Sequence, residues 1–282
     1  MPGWDHRKEQ GQTMFNEIVR AEIWLQDTLE SQESIAALAE RLGYSTSQVR
    51  RRFRQYFGMS PSAYREALRL EKAGRLLVHT PISIREIARL CGYTNHSAFS
   101  RAFLRRFRCS PRQHRRDGRK ALAEAANGAG LDVSPRIRQV PSCAAVVARQ
   151  YEATDTLPSP DSWHRCLNGY QLPLPGAPER AAAITLLYTP RMDACLPRRD
   201  TGVLVDEQAA NSLAVPPSLR MLRMPTERCA CIELTDHRAL DDTLASLLTA
   251  LPDMAEHYSG EPIRLVKSDA GVELQLPLLE TG

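Results

Sequence analysis

The sequence predicts a multidomain protein: an all-α N-terminal domain with two helix-turn-helix units, then an α+β domain with pseudo-twofold β-α-β-β repeats. Three observations predict this arrangement. A long segment with helical periodicity occurs twice in the first 120 residues, strand-like runs appear beyond residue 135, and 282 residues suit about two domains. We therefore expect domains at residues 1–120 and 136–282. The linker at 121–135 begins helix-like and then turns rich in Ala and Gly.

The formal net charge of +4 conceals an uneven distribution. Residues 1–120 contain 23 Lys and Arg against 12 Asp and Glu, whereas the remaining residues contain 14 against 21. An arginine-rich half joined to an acidic half indicates that the first half binds a polyanion. The alternative is a solvated basic face that binds nothing.

Composition also limits the class of protein. No apolar run approaches the roughly 20 residues of a membrane span, and residues 1–10 are polar and mixed in charge, unlike a signal peptide. We therefore expect a cytoplasmic protein that does not bind membranes. The seven cysteines form no CxxC pair, which predicts buried reduced thiols, no metal site and no cofactor. A redox-sensing or alkyl-transfer cysteine is the alternative.

Each copy of the repeat has the pattern of a helix-turn-helix unit. Residues 34–44 and 83–93 are similar at a displacement of 49, and Gly43 and Gly92 lie where a helix is expected to end in a left-handed residue. A second helix follows at once, with aromatic residues four apart on its inner face. Capping boxes are predicted at Ser45/Gln48 and Ser83/Glu86.

The outer face of each second helix carries side chains suited to DNA. Residues three and four apart share a helix face, and in the major groove Arg bonds bidentately to guanine while Ser and His bond several base edges. Arg also pairs with phosphate. For any single arginine a solvated charge is the alternative, but the repeated motif favours DNA binding for the set. The predicted DNA-binding residues are Ser47, Arg50, Arg51 and Arg54, then His96, Ser97, Ser100, Arg101 and Arg105.

A continuous helix is predicted between the two units. It begins at Ser60-Pro61, with proline in the first turn, and ends at Thr80-Pro81. Such a helix would hold the units at a fixed spacing, and adjacent major-groove segments on one DNA face lie about 34 Å apart.

Residues 15–116 resemble the DNA-binding module of the AraC/XylS family of transcription regulators. The resemblance implies seven helices, two of them recognition helices that contact bases near their start and middle. It is carried by Ala39-x-x-x-Gly43-Tyr44-Ser45, Phe53-x-x-x-Phe57-Gly58-x-Ser60-Pro61, Arg69-x-x-x-Ala73-x-x-Leu76-Leu77, Ile84-x-x-Ile87-Ala88-x-x-x-Gly92-Tyr93 and Phe99-Ser100-Arg101-Ala102-Phe103-x-x-x-Phe107-x-x-Ser110-Pro111.

Residues 137–279 resemble the GyrI-like effector-binding domain, in the domain order of the Rob-type regulators. The resemblance is carried by Pro141, Thr235-Asp236-His237, Gly260-Glu261-Pro262-Ile263 and the closing run from Val272 to Leu278. It implies a cleft that binds bulky amphipathic molecules, lined by aromatic side chains and by carboxylates that attract cations. In this chain the implied ligand-binding residues are Trp163, Tyr170, Arg264, Glu273 and Gln275.

Arg264 departs from the GyrI-like pattern, because family members carry an acid at this position. Arg264 either pairs with Glu273, which would close the site to cations, or turns the preference toward neutral or anionic ligands. A protein-contact or purely structural role for this domain is the alternative.

The sequence thus predicts a transcription regulator, either an activator or a repressor, that binds double-stranded DNA sequence-specifically. Its C-terminal domain would sense a small amphipathic molecule or contact RNA polymerase. The alternatives are an architectural DNA-binding protein with a scaffold domain and, less favoured, a weak hydrolase. We expect no enzymatic activity and no catalytic residue, because no Ser–His–Asp order, metal motif or phosphate loop is present.

Overall fold

The computed structural model describes residues 17–31, 33–131, 133–151, 182–188, 198–216, 218–234, 240–268 and 271–280. The chain divides into two compact units, Met1–Leu77 with Ile82–Arg115, and Val78–Pro81 with Arg116–Gly282. Within the described residues, no helix combines the length and apolar character that crossing a membrane requires. Trp163, Tyr170 and the Thr235-Asp236-His237 motif lie outside the described residues.

Seven helices lie in the described part of residues 17–129, and they contain two helix-turn-helix pairs, α2–α3 and α5–α6. The helices are residues 17–27 (α1), Ile35–Leu42 (α2), Thr46–Phe57 (α3), Pro61–His79 (α4), Ile84–Leu90 (α5), His96–Phe107 (α6) and Pro111–Ala129 (α7). The last helix continues past residue 120 into the predicted linker, whose bounds stay a prediction.

The aromatic residues of α3 and α6 form the core of the helical region. Phe53 packs against Phe57 with ring centroids 4.6 Å apart and against Tyr64 of α4 at 5.3 Å. Phe103 lies 5.6 Å from Phe99, and both rings are fully buried. The prediction that these stripes are core rather than base-stacking surfaces is confirmed.

The turn of each helix pair depends on glycine. Gly43 and Gly92 have φ values of 71° and 74°, in the left-handed region where a Cβ is disfavoured. The predicted capping box at Ser45 and Gln48 is present. At the other predicted box, Ser83 accepts from the Glu86 amide, but the Glu86 carboxylate bonds Arg89 instead.

An arginine of α4 ties the turn after α1 to the linker helix. The Arg69 guanidinium donates to the carbonyl oxygens of Leu29 at 2.7 Å and Ser31 at 2.9 Å. The last carbonyls of a helix have no partner within the helix, so these donors satisfy acceptors beside the end of α1. Arg69 also limits the space at Gly92, where a Cβ would lie 2.9 Å from its Nη2 atom.

An arginine makes the same pair of carbonyl hydrogen bonds in the second copy of the repeat. Arg119 of α7 donates to the carbonyl oxygens of Val78 at 3.0 Å and Thr80 at 2.7 Å, beside the end of α4. Arg69 and Arg119 occupy corresponding places in the two copies. The repeat therefore includes the helix that follows each helix-turn-helix pair.

In the part of the second unit that the structure describes, eight strands form one antiparallel sheet in the order β1-β6-β8-β7-β3-β4-β2-β5. The α-helices described after β1 are Glu207–Ser212 (α8) and Leu240–Ala250 (α9). The strands are Arg136–Val140 (β1), Cys143–Gln150 (β2), Ala183–Leu187 (β3), Arg199–Val205 (β4), Arg220–Met224 (β5), Glu227–Leu234 (β6), Ile263–Ser268 (β7) and Gly271–Pro277 (β8).

The sheet has a pseudo-twofold axis between β3 and β7. Exchanging β1 with β5, β2 with β6, β3 with β7 and β4 with β8 reverses the strand order and restores the same sheet. Strands β1 and β5 have the same length, and each is followed by a two-residue connection that begins with proline. Each of these strands pairs with the other half, β1 with β6 and β5 with β2.

The predicted β-α-β-β repeat is incomplete, because each half begins with a further strand, β1 or β5. Both strands carry arginines, and neither has the continuous apolar run of a buried strand. The segment between β2 and β3, which would hold the helix of the first repeat, lies outside the described residues apart from Tyr151 and Ala182. The helix of the second repeat is α9, whose Leu244, Leu247 and Leu248 are buried against one face of the sheet.

The two turn glycines differ in their surroundings, which predicts different costs for the same substitution. Gly43→Ala meets no atom within 4 Å, so we expect only the left-handed penalty of about 1 kcal/mol. In Gly92→Ala the new Cβ would lie 2.8 Å from the Leu29 carbonyl oxygen as well as against Arg69, which adds about 1–3 kcal/mol of overpacking. Urea unfolding followed by far-UV circular dichroism checks this order; equal costs would contradict it.

Candidate nucleic-acid interface and ligand site

The predicted contact residues of α3 all face solvent. Ser47, Arg50, Arg51 and Arg54 are exposed and lie three or four residues apart on one side of the helix. The opposite side carries Val49, Phe53 and Phe57, which are buried. Among the described residues, no acidic side chain forms an ion pair with the three arginines. This surface, the α3 face, therefore presents three guanidinium groups that can bond phosphate or guanine.

Arg52 lies between these arginines in sequence but has a different role. Its guanidinium lies 4.3 Å from the centre of the Tyr44 ring, and its Nη1 atom is 3.4 Å from Glu17. The Tyr44 hydroxyl donates to the same Glu17 carboxylate. Arg52 thus joins α3 to α1 and to the turn of the first unit, and it is not part of the α3 face.

The α6 face differs in chemistry. His96, Ser97 and Arg101 are exposed, whereas Ser100 is half-buried. Arg105 is exposed too, but its Nη2 atom lies 3.1 Å from Glu66 of α4, an ion pair that the sequence pattern does not reveal. We define the α6 face by these five predicted residues.

Leu104 also lies on this side of α6, and its side chain is 51% exposed. The sequence analysis missed it, because an apolar residue within a helix is usually assigned to the core. The signal available in sequence was its spacing, three residues after Arg101 and one after the buried Phe103. An exposed leucine on the α6 face suits the methyl group of thymine.

The start of α6 is fixed by a residue that the sequence analysis did not identify. The Asn95 side chain accepts from the amides of Ser97 at 2.8 Å and Ala98 at 3.1 Å. This cap sets where the helix begins, and so it sets which side of α6 carries Ser97 and Arg101.

Comparison with known proteins covers the helical region. Residues 38–117 match the family model described as a helix-turn-helix domain. Over 101 residues the chain is 38% identical to the HTH-type transcriptional activator RhaS of Salmonella arizonae and, equally, of Salmonella newport. The match spans 36% of this chain and only 36% of those relatives.

Solved structures match the same share of the chain. The AraC-type regulator from Chromobacterium violaceum is 32% identical, covers 36% of this chain and 91% of its own, and has a TM-score of 0.35. The DNA-binding domain of AdpA in complex with a target DNA is 29% identical, covers 37% and 94%, and has a TM-score of 0.36.

Residues 38–117 form a helix-turn-helix domain. This range contains α3 and α6, and so both the α3 face and the α6 face. In a helix-turn-helix domain the second helix of each pair is the one placed in the major groove. The roles of the individual side chains on these faces stay predictions.

In the second unit, the three predicted ligand-binding residues that the structure describes, Arg264, Glu273 and Gln275, lie on the sheet face opposite α9. Glu273 accepts from Arg138 at 2.6 Å and from Gln275 at 2.7 Å. Arg264 donates instead to Glu227. Of the two alternatives for Arg264, the pair with Glu273 is therefore absent from the described residues, and Arg138 on the edge strand β1 bonds Glu273 instead.

Every described strand carboxylate on this face is bonded to an arginine. Glu227 is bonded to Arg264, Glu233 to Arg136 and Glu273 to Arg138, while Asp200 is bonded to Arg149. The charged strand residues of this face are Asp200, Glu227, Glu233 and Glu273, with Arg136, Arg138, Arg149, Arg220 and Arg264.

Asp200 is the centre of a buried ion cluster that the sequence analysis missed. Arg149 donates to both carboxylate oxygens, at 2.6 and 3.3 Å, and the Tyr188 hydroxyl donates at 2.6 Å. Arg220 lies 3.3 Å away. Burial acts to raise the pKa of Asp200, but the two arginine charges and the hydrogen bonds outweigh it and hold the pKa below its usual value.

Burial affects four of the described cysteines. Burial raises the pKa of Cys91 and of Cys229 to about 12, and it also raises the pKa of Cys143 and Cys231. Thiols in this state are poor nucleophiles at neutral pH. No cluster of metal-binding side chains occurs among the residues that the structure describes, and Cys166 and Cys195 fall outside them.

Two adjacent arginines of α3 should respond differently to removal. Arg52→Ala loses the contacts to Tyr44 and Glu17, so we expect the free energy of unfolding to fall by about 1 kcal/mol. Arg51→Ala removes an exposed side chain and should change the free energy of unfolding by less than about 0.5 kcal/mol. Urea unfolding of the two variants measures the difference. A loss as large for Arg51→Ala would show that its side chain supports the fold.

Asp200→Asn should destabilise the second unit strongly. It leaves Arg149 and Arg220 without a counter-charge in a buried site, a change that costs about 3–5 kcal/mol. The depressed pKa means that the wild-type contribution is present at neutral pH and is lost as the pH falls through the folded-state pKa.

Thermal unfolding at neutral and at acid pH tests this account, with the exposed Asp253→Asn as the matched control. The gap between wild type and Asp200→Asn should narrow below about pH 4. A gap that does not depend on pH would contradict the ionised cluster.

Proposed function

We propose that the chain is a sequence-specific DNA-binding transcription regulator of the AraC/XylS family, and that it acts as an activator. The observation that carries the proposal is the pair of outward surfaces, the α3 face and the α6 face, on the second helices of one AraC-type domain. Relatives over this region are named transcriptional activators, which supports the choice of class.

The α3 face and the α6 face would contact different chemical groups of the DNA. The three arginines of the α3 face favour phosphate contacts and bidentate contacts to guanine. The α6 face offers Ser97, Arg101 and His96, which suit several base edges, so the two half-sites should differ in sequence. A single chain would then bind one asymmetric site in double-stranded DNA.

The second unit is proposed to be a GyrI-like domain that binds a small amphipathic effector and tunes transcription, with RNA polymerase as a further partner. The pseudo-twofold sheet and the polar face opposite α9 support this assignment. We further propose a cytoplasmic location and no catalytic role. The alternative of an architectural protein with a scaffold domain makes a different prediction about DNA preference.

DNA selection and competition binding test the proposal. The full chain is used to select bound sequences from random DNA, and the selected sequence should be preferred over random DNA by about 10³ or more at physiological salt. An architectural protein would show little preference. Arg51→Ala and Arg101→Ala should each weaken binding to the selected sequence by about 1–3 kcal/mol and relax base preference.

The matched control is Arg136→Ala, which removes an exposed arginine from the second unit. It should leave affinity for the selected sequence almost unchanged. If Arg51→Ala and Arg101→Ala weaken selected and random DNA equally, the two arginines contact phosphate only, and base recognition by these side chains is wrong.

A further inference from the structure

The two halves of the second unit differ sharply at one pair of equivalent positions. Opposite residues Ile184 and Gly202 on β3 and β4 correspond to Arg264 and Gln275 on β7 and β8. Ile184 is 1% exposed, and a side chain at Gly202 would collide with the Val146 carbonyl oxygen at 1.9 Å. The first half therefore carries a buried apolar side chain and a glycine at this position, so the fold does not require the polar pair of the second half.

Arg264 retains unused hydrogen-bonding capacity in a buried place. The residue is 5% exposed, and its Nη2 atom donates to Glu227. Its Nη1 atom is buried and has no hydrogen-bond partner among the described residues. Buried N–H groups are nearly always satisfied by protein, water or a ligand. Gln275, also buried, lies directly opposite Arg264 in the β7–β8 register.

The electrostatics of this face favour an anion. Each of the four carboxylates defined above is already bonded to an arginine, and the arginines outnumber the carboxylates. The nearby thiols add no negative charge, because burial raises the pKa of Cys143 and Cys229. A cation would have to displace an arginine from its carboxylate, whereas an anion can accept from a guanidinium nitrogen that has no hydrogen-bond partner among the described residues.

We propose that the sheet face opposite α9 binds the anionic head group of a small amphipathic molecule, a carboxylate, at Arg264. This rests on the proposed ligand-binding role of the second unit and names the chemical class of its ligand. The carboxylate accepts from Nη1 of Arg264, and Gln275 offers a neutral polar group beside it. Glu227 competes with the ligand for the same guanidinium, so it limits the affinity.

Calorimetric titration of the full chain with octanoate, octylammonium and 1-octanol tests the charge preference, since the three share one alkyl chain. Octanoate should bind at least about tenfold more tightly than the other two. Tighter binding of octylammonium or octanol would overturn the anionic preference while leaving effector binding in place. Binding of none of the three would overturn the site itself.

Three variants locate the site. Arg264→Ile introduces the residue found at the equivalent position, Ile184, and should lower the affinity for octanoate about tenfold or more. Glu227→Gln should raise this affinity several-fold, because it frees the Arg264 guanidinium. The control Arg136→Ala removes an exposed arginine from the same face and should change nothing. Unchanged octanoate binding in both Arg264→Ile and Glu227→Gln would overturn the assignment to Arg264.

Binding to the selected DNA, measured on the same preparations, separates the two proposals. Octanoate binding without specific DNA binding would overturn the regulator and keep the anion site. Specific DNA binding without octanoate binding would overturn the anion site and keep the regulator. Because Arg264→Ile leaves the partly exposed Glu227 without its arginine, the fold of this variant is checked by circular dichroism and thermal unfolding, and the gain expected in Glu227→Gln tests the site independently.

Discussion

The helical region depends on arginine donors that satisfy backbone carbonyls near helix ends. Arg69 bonds the carbonyls of Leu29 and Ser31, and Arg119 bonds the carbonyls of Val78 and Thr80 at the end of α4 in the same way. Because a guanidinium holds its N–H groups in a fixed plane, one side chain fixes both the position and the direction of the connecting turn. Each helix-turn-helix pair follows directly from such a turn. The arginine–carbonyl bonds therefore also help to orient the outward face of the pair.

Net charge alone therefore overstates the number of arginines that are available to bind a polyanion. Arg52, Arg69 and Arg119 are bonded to groups of the fold, whereas Arg51 and Arg101 are exposed and have no ion pair among the described residues. The two classes are indistinguishable by residue type and lie close together in sequence. What separates them is position relative to the helix core, so the charge argument gains its force only when it is combined with helical periodicity.

This contrast explains which features sequence reasoning could find. Gly43, the Ser45 cap and the aromatic stripes obey local rules of backbone conformation and spacing, and those predictions are confirmed. The edge strands β1 and β5 were missed because each pairs with the other half, far away in sequence, and carries arginine on the strand itself. The partner of Glu273 could not be predicted for the same reason: Arg138 is reached through the register of β1 with β6 and of β6 with β8, which no spacing in the sequence reveals.

Both units consist of a duplicated scaffold whose two copies carry different chemistry. The cores repeat, with aromatic side chains in α3 and α6 and matching strands in the sheet, because packing constrains them. The surfaces diverge: Arg54 corresponds to the exposed Leu104, and Ile184 corresponds to Arg264. Because the two faces differ, we expect the two half-sites of the proposed DNA target to differ in sequence as well. Divergence at positions that the fold leaves free would thus give the two faces different base preferences.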